Sequence, residues 1–304
     1  MSRLSEKYIA GFLDADGTIS MGLQKDCRRF QLMVQFSQKA TSDEVLKRIR
    51  DEMGGAIRQN IINGKSYSIL SLCGVTAKKC LNRISKYLVI KSHYANMCME
   101  VANKPLFDKK EARAYLRKER QKRSEPLPNF PSRKWLAGYF DGDGCLSVTK
   151  ITGLGKANLI AHIACSHFDT EGIEIIHKAF GGAIHDMRNG SCRQWALFLN
   201  PSKAKKFLGY FAKHSIVKRD QNYFVLGCAE MGHYRDGKNI KSALKHLKAQ
   251  EQRLSDSGVA SLLGQIRDLE EPKRTDYKDF YRSPNGKLAG KLVAQAIVQQ
   301  GFIS

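Results

Sequence analysis

Ile9-Ala10-Gly11-Phe12-Leu13-Asp14-Ala15-Asp16-Gly17 and Leu136-Ala137-Gly138-Tyr139-Phe140-Asp141-Gly142-Asp143-Gly144 are two versions of one phrase, Asp143 following Asp16 by 127 positions. Each is an apolar run holding an Ala-Gly pair and closing on Asp-x-Asp-Gly. Ser5 and Ser132 stand where N-caps belong, and Asp-x-Asp-Gly supplies the turn chemistry that stops a helix. The Ala-Gly pair permits close approach of another backbone. The same offset carries Ser5-x-Lys7-Tyr8 onto Ser132-x-Lys134-Trp135 and Gly54-Gly55-Ala56-Ile57 onto Gly181-Gly182-Ala183-Ile184. It also relates Ala77-Lys78-Lys79 to Ala204-Lys205-Lys206, and Lys91 to Lys218. One register held over so long a stretch marks a duplicated structural unit, and a duplication implies a pseudo-two-fold axis.

Within the first unit, Thr18 to Gln24 alternates, with Ile19, Met21 and Leu23 on one face. Phe30 to Ser37 repeats the pattern with Leu32, Val34 and Phe36 inward. Thr41 or Ser42 is expected to cap a helix through Met53, acidic at its start and basic later as the helix dipole prefers. Asn63-Gly64 signals a hairpin turn, and helices follow near Ala77 to Leu88 and Ser92 to Ala102. The order is αββαββαα, repeated from Ser132 to about Glu230 with Asn189-Gly190 as the hairpin turn. The predicted class is therefore α+β, two pseudo-two-fold-related units with antiparallel sheets. The domains are 1–102, a basic linker 103–131 with a helix over Glu111 to Lys122, 132–230, and a basic, mostly helical extension 231–304. That extension has no counterpart in the repeat; it reads as helix from about Ile240 to Leu269 and again, amphipathically, from Lys287 to Gln300.

The 304 residues carry 51 Lys+Arg against 29 Asp+Glu, a net charge of +22 spread along the chain. Such a field attracts polyanions, nucleic acid first among them, and disfavours cationic partners. The eight cysteines form no C-x-x-C pair and read as reduced core residues. His162, Cys165 and His167 are near one another in sequence, but strand alternation places His162 and Cys165 on opposite faces. No run approaches the ~18 apolar residues of a membrane span. With only Met1 to Leu4 ahead of the first helix signal, no targeting segment is seen. The expected location is the cytoplasm of a prokaryote or phage-infected cell, or an organelle that encodes the protein.

Packing the two motif helices together brings Asp16 and Asp143 to one end of their interface. Two ionised carboxylates side by side raise one another's pKa unless a cation shares them. Divalent, oxygen-preferring ions suit this, and with a bound water they can drive phosphodiester hydrolysis. A calcium-loop reading of Asp-x-Asp-Gly fails, because its register would require acids at Phe12 and Leu23, or at Tyr139 and Lys150.

The paired phrase resembles the LAGLIDADG motif of homing endonucleases of the single-chain, two-motif type, a resemblance covering about residues 5 to 230. It implies a saddle of two sheets over a long double-stranded DNA site, with Mg²⁺ or Mn²⁺ as cofactor. It also implies double-strand cleavage across the minor groove leaving short 3′ overhangs, and a gene carried by a mobile intron. By that resemblance Asp16 and Asp143 bind the metal, assisted by the carbonyl of the preceding residue, Ala15 for Asp16 and Gly142 for Asp143. Asp14 and Asp141 are structural, and Gln38, Lys91 and Lys218 order water at the scissile phosphate. Gln38 departs from symmetry, because Cys165 stands at its matched position, so the half-sites are expected to differ.

The outward strand faces supply types that hydrogen-bond base edges and phosphates. In the first unit these are Gln24, Arg28, Arg29, Gln31, Gln35, Arg58 and Asn60. In the second they are Ser147, Thr149, Lys150, Asn158, His162, His185 and Arg188, with Asp186 as the main acidic exception. The expected protein is a monomeric DNA endonuclease. Two alternatives are an RNA-binding maturase that assists intron splicing and a DNA-binding regulator on the same scaffold. Charge alone does not separate them, whereas the intact Asp pair favours the nuclease.

Overall fold

The computed structural model describes residues 3–23, 30–103, 114–115, 117–118, 130–150, 157–166, 169–187, 190–230 and 237–249. The first half runs α1 (Glu6–Asp16), β1 (Gly17–Leu23), β2 (Phe30–Lys39), α2 (Glu44–Met53), β3 (Ala56–Ile62), β4 (Lys65–Cys73), α3 (Val75–Ile84) and α4 (Ser92–Asn103). The second runs α5 (Arg133–Asp143), β5 (Gly144–Lys150), β6 (Ala157–Ser166), α6 (Glu171–Phe180), β7 (Ala183–Met187), β8 (Cys192–Phe198), α7 (Pro201–Phe211) and α8 (Arg219–Glu230). A further helix, α9 (Gly237–Ala249), lies beyond the repeat. The αββαββαα order is present in both halves.

Each half forms one antiparallel sheet, ordered β1-β2-β4-β3 and β5-β6-β8-β7. The duplication extends to strand register: Gly17 pairs Phe36, and Gly144 pairs Ile163. Alternation then sorts the side chains. Ile19, Leu32, Val34, Phe36, Leu70 and Leu72 are buried beneath the first sheet, and Leu146, Leu159, Ala161, Ile163, Trp195 and Leu197 beneath the second. Burying one face of each sheet under helices leaves the other face for solvent or a partner.

Local chemistry explains the boundaries and some departures from expectation. Asn63 and Gly64 both take left-handed φ, 51° and 72°, as a tight two-residue hairpin requires. Gly190 has φ 81°, while Asn189 lies outside the described residues. Ser132 caps α5 by accepting from the Trp135 amide at 3.3 Å, but Ser5, at the matched position, makes no side-chain cap. Ser42 does not cap α2. Ala40–Ser42 wind into a 3-10 turn, and Asp43 takes the N-cap position, its carboxylate held 2.8 Å from Lys47 one turn later.

The start of the extension is part of the core, since Ile240, Leu244 and Leu247 of α9 are buried. The helix expected from Ile240 begins at Gly237. Its continuation to Leu269 and the Lys287–Gln300 helix lie outside the described residues, as does most of the Glu111–Lys122 segment. Cys80, Cys98, Cys165 and Cys228 are core thiols as expected, whereas Cys73 and Cys145 are exposed. Among the described residues no helix is long and apolar enough to cross a membrane.

Candidate active site

Helices α1 and α5 touch backbone to backbone. A Cβ on Gly11 would stand 2.0 Å from the Trp135 carbonyl oxygen, and one on Gly138 would stand 2.1 Å from that of Tyr8. Only glycine fits at either place. Two exchanged hydrogen bonds brace the pair: the Tyr8 hydroxyl donates to Asp141 Oδ2 at 2.6 Å, and Trp135 Nε1 donates to Asp14 Oδ2 at 2.9 Å. Tyr8 and Trp135 occupy matched positions, so each half sends an aromatic donor into the other. The sequence shows that match without revealing the exchange.

Asp14 also accepts from the amides of Val89, Ile90 and Lys91 at 2.7, 3.2 and 2.9 Å. Asp141 accepts from Ile216, Val217 and Lys218 at 2.6, 3.1 and 3.0 Å, and from the Ser215 hydroxyl. Both carboxylates are buried and are consumed in fastening the chain ahead of α4 and α8 to the motif helices. Burial lifts the Asp14 carboxyl above its usual range despite the Val89 and Lys91 amides and the Lys91 charge.

Asp16 and Asp143 remain at the shared end of the helices, close enough for the charge of Asp16 to act on Asp143. Burial, and next the charge of Asp16, push the Asp143 carboxyl up to about 7, against the opposing pull of Lys91 and Lys218. Burial also raises Asp16, with Lys218 and Lys91 opposing. A cleft of about 1050 Å³ holds Asp16, Gln38, Gly142 and Lys218. A second, of about 280 Å³, holds Asp143, Ala15, Lys91 and Cys165. The grouping is crossed. The carbonyl residue expected beside each Asp sits instead with the Asp of the opposite motif, because the helices abut at their ends; a Cβ on Gly142 would lie 3.4 Å from Asp16 Cγ.

The two lysines, expected to order water, are bonded to backbone carbonyls at the ends of the motif helices. Lys91 Nζ donates to the carbonyls of Leu13, Asp14, Ala15 and Gly17 at 2.7, 2.9, 3.2 and 2.8 Å. Lys218 Nζ donates to Phe140 and Gly142 at 3.0 and 2.7 Å, and to Asp141. Each ammonium caps the negative end of a motif helix, where backbone carbonyls lack partners. Desolvation lowers the pKa of both lysines, opposed by nearby carboxylates, Asp14 first for Lys91 and Asp141 first for Lys218. Gln38 donates to Asp16 Oδ2 at 2.8 Å, whereas the Cys165 thiol is pushed up to about 12, chiefly by burial.

The donor set fits a divalent cation that takes much of its coordination from elsewhere. Carboxylate oxygens are hard donors, and Ala15 and Gly142 keep a second carbonyl lone pair beside their lysine. No group of three or more His, Cys, Asp or Glu placed to hold a metal occurs among the described residues, so a cation held here would take the rest of its shell from outside the protein.

On the outer sheet faces, Arg58 and Asn60 pair with Ile69 and Tyr67, and Gln31 and Gln35 share that surface. Gln35 is bonded to Ser71 at 3.0 Å. Ser147, Thr149, Asn158, His162 and His185 occupy the outer face of the second sheet. Lys150 falls in register with Leu146 and Val148, hence on the inward row, and its side chain is outside the described residues. Gln24, Arg28, Arg29, Arg188 and His167 are also outside them. Asp186 is a correction: it pairs with Arg193 at 2.8 Å in the inward register, so the outer face lacks that acid.

Sequence reading missed Lys39, Tyr67 and Gln194 on the outer rows, and also Phe198, which is 56% exposed there. It also missed Lys248 of α9, whose ammonium reaches 3.4 Å from Cys145 Sγ at the edge of the larger cleft. A hydrogen bond from His162 is the main cause that brings the Cys145 thiol down to about 7, with Lys248 assisting against burial.

No protein-family model matches the chain, and no curated protein matches it. Solved structures do. The LAGLIDADG homing endonuclease I-GzeII in complex with its DNA target aligns with a TM-score of 0.62 at 17% identity, covering 81% of this chain and 97% of that one. The meganuclease I-SmaMI bound to uncleaveable DNA aligns at 0.61 and 18% identity, covering 83% and 99%. The LAGLIDADG meganuclease I-AabMI bound to uncleaved DNA aligns at 0.61 and 18%, covering 81% and 98%. The chain has the LAGLIDADG homing endonuclease fold.

Proposed function

We propose that this chain, on that fold, is a monomeric, site-specific DNA endonuclease whose two clefts each cut one strand of a duplex, and that a mobile intron encodes it. The observation that carries the reading is the pair of carboxylates, Asp16 and Asp143, fixed at the ends of two glycine-packed helices with a cleft on either side. A fold alone does not assign chemistry; a retained, mutually repelling acid pair is costly unless a cation is its partner. I-SmaMI, a structural neighbour, has been seen bound to uncleaved DNA in the presence of calcium ions.

In this reading the outer sheet faces lie along the duplex. Arg58, Asn60, Lys39 and Gln31 of one sheet, with Thr149, Asn158, His185 and Gln194 of the other, contact phosphates and base edges. Asp16 and Asp143 hold Mg²⁺ or Mn²⁺ together with phosphate oxygens, the carbonyls of Gly142 and Ala15 completing the protein's share. The bound ion supplies an activated water and stabilises the departing oxygen. Gln38 orients the Asp16 carboxylate and the water beside it. Lys91 and Lys218 fix the ends of the motif helices and place positive charge beneath the scissile phosphates.

The test is incubation of the full chain with a library of intronless target sites and Mg²⁺, beside Asp16→Asn and Asp143→Asn. Both substitutions should abolish double-strand cleavage while DNA binding persists. Unchanged cleavage by the double variant refutes the site.

One observation favours the maturase reading as a second activity. At the far end of the motif helices a cleft of about 640 Å³ is lined by Arg3, Lys7, Arg133, Lys134 and His214. Burial lowers the His214 pKa, and the charges of Lys213, Lys134 and Arg133 lower it further. Intron RNA held there would be released by Lys134→Glu with DNA cleavage intact; equal RNA retention by wild type and variant removes this second reading.

A further inference from the structure

The two clefts are built on matched backbone but equipped with different polar groups, and the differences come in sets. Gln38 and Ser42 line the first cleft; at the matched positions Cys165 and Asp169 line the second. Behind them, Phe12 and Val45 of the first half are replaced by Tyr139 and Gly172. These last two changes belong together. The Tyr139 hydroxyl lies where a side chain on residue 172 would stand, a Cβ there falling 2.6 Å from it. The second half thus carries an added oxygen and has removed the side chain that would have collided with it.

Packing alone does not explain that exchange, since phenylalanine with valine fills the same place in the first half. Tyr139 is fully buried at 0% exposure, it lines the smaller cleft, and its hydroxyl has no hydrogen-bond partner among the described residues. A buried hydroxyl is kept without a partner only at a cost, so an oxygen or a water in the cleft is its natural acceptor. Asp169 enters the same cleft from the turn ahead of α6. Its carboxylate is exposed and is oriented by the Ser166 hydroxyl at 2.5 Å. The Cys165 thiol, a weak donor, does not replace the amide of Gln38.

We propose that Asp169 and Tyr139 are the polar equipment of the second cleft, positioning residues that hold the water around a divalent cation at Asp143 as Gln38 serves Asp16. The proposal rests on the nuclease reading, because it takes Asp143 as a metal ligand. Asp43, Glu44 and Asp220 also line the first cleft, but Asp43 is held by Lys47 at 2.8 Å and none of the three is among the groups that shift Asp16. Asp169 does act on Asp143, so the second cleft sets a further carboxylate beside its metal ligand and binds a divalent cation more tightly. The protein then loads its two clefts at different metal concentrations, and at limiting metal it cuts one strand only.

The experiment is Mn²⁺ binding to the full-length protein in complex with a duplex recovered from the target-site library, which supplies the phosphate oxygens of the shell. Free Mn²⁺ is counted by electron paramagnetic resonance against the duplex alone, with helix content checked by circular dichroism. Wild type should show a tighter and a weaker site. Asp169→Asn should weaken the tighter site about tenfold, the scale of lost outer-shell support, and Asp169→Glu should restore much of it. Tyr139→Phe, which recreates the residue of the first half, should weaken the same site by a smaller factor and leave the weaker site alone. Asp16→Asn should remove the weaker site only. If Asp169→Asn and Tyr139→Phe keep wild-type affinity at both sites while Asp143→Asn loses one, Asp169 and Tyr139 have no such role and the nuclease reading stands. If neither Asp16→Asn nor Asp143→Asn alters Mn²⁺ binding, both readings fall.

Discussion

Residues 6–103 and 133–230 share one αββαββαα order, yet the acids they hold in common serve two unlike purposes. Asp14 and Asp141 are each surrounded by donors and fasten the halves together. Asp16 and Asp143, two residues further on, are left facing the clefts, where Lys91 and Lys218 only partly offset the burial that raises both carboxyls. The first pair is nearly the same in both halves; around the second pair the halves have diverged, with Gln38 against Cys165. Symmetry is kept where the molecule must close on itself and relaxed along the clefts.

The most damaging way to break the comparison is to part the two halves. Gly11→Val or Gly138→Val forces a branched side chain onto a backbone carbonyl, and should cost about 3 kcal/mol or more. Loss of the cooperative thermal transition would show it, equally for both variants because the contact is shared. Removing one brace comes next. Asp14→Ala strands the Val89, Ile90 and Lys91 amides and Trp135 Nε1, all buried or nearly so. About 3 kcal/mol by urea denaturation is expected, matched by Asp141→Ala.

Stability should also depend on pH through Asp143. An unfolded Asp loses its proton near 4, whereas the folded one keeps it until about 7. Between those values the native state binds more protons than the unfolded state, so stability falls as pH rises from about 4 to about 7 and is flat above. Thermal unfolding across that range should show the decline, which Mn²⁺ should reverse above pH 7 and Asp143→Asn should flatten.

A smaller effect sharpens the difference between the clefts. Cys165→Gln gives the second cleft the amide of the first, and should narrow the difference in nicking rate between the two strands by a few-fold when each is end-labelled. Smallest of all is a purely chemical readout. Cys145, whose thiol sits at about 7, should react with iodoacetamide along a curve centred near that pH, and Lys248→Ala should move the curve upward.

Much of this was legible in the chain because the repeat speaks twice. The 127-residue register, seen in Gly54-Gly55 and Gly181-Gly182 and in Lys91 and Lys218, anticipated that the two halves repeat one element order, and the structure carries the repeat into strand pairing, Gly17 with Phe36 and Gly144 with Ile163. The crossing of partners was not legible. Ala15 adjoins Asp16 along the chain but lines the cleft of Asp143, and only the abutment of two helix ends creates that arrangement. Asp169 belongs to no motif and drew no reading from the sequence, because its place beside Asp143 depends on how the turn ahead of α6 folds back. Asp186 was assigned to the wrong face because a hairpin strand of five residues gives little pattern from which to fix its parity. Lys248 comes from outside the repeat, so no matched position could point to it.

The contact at Gly11 and Gly138 reaches beyond stability. Because carbonyl groups and not side chains meet there, the gauge between Asp16 and Asp143 is set by bond lengths and helix pitch, quantities that substitution elsewhere does not tune. The helices act as a caliper with a fixed opening, its two tips being the ends that carry Asp16 and Asp143. The sheets can then change their outer rows freely, since the measuring part of the molecule has no setting to lose.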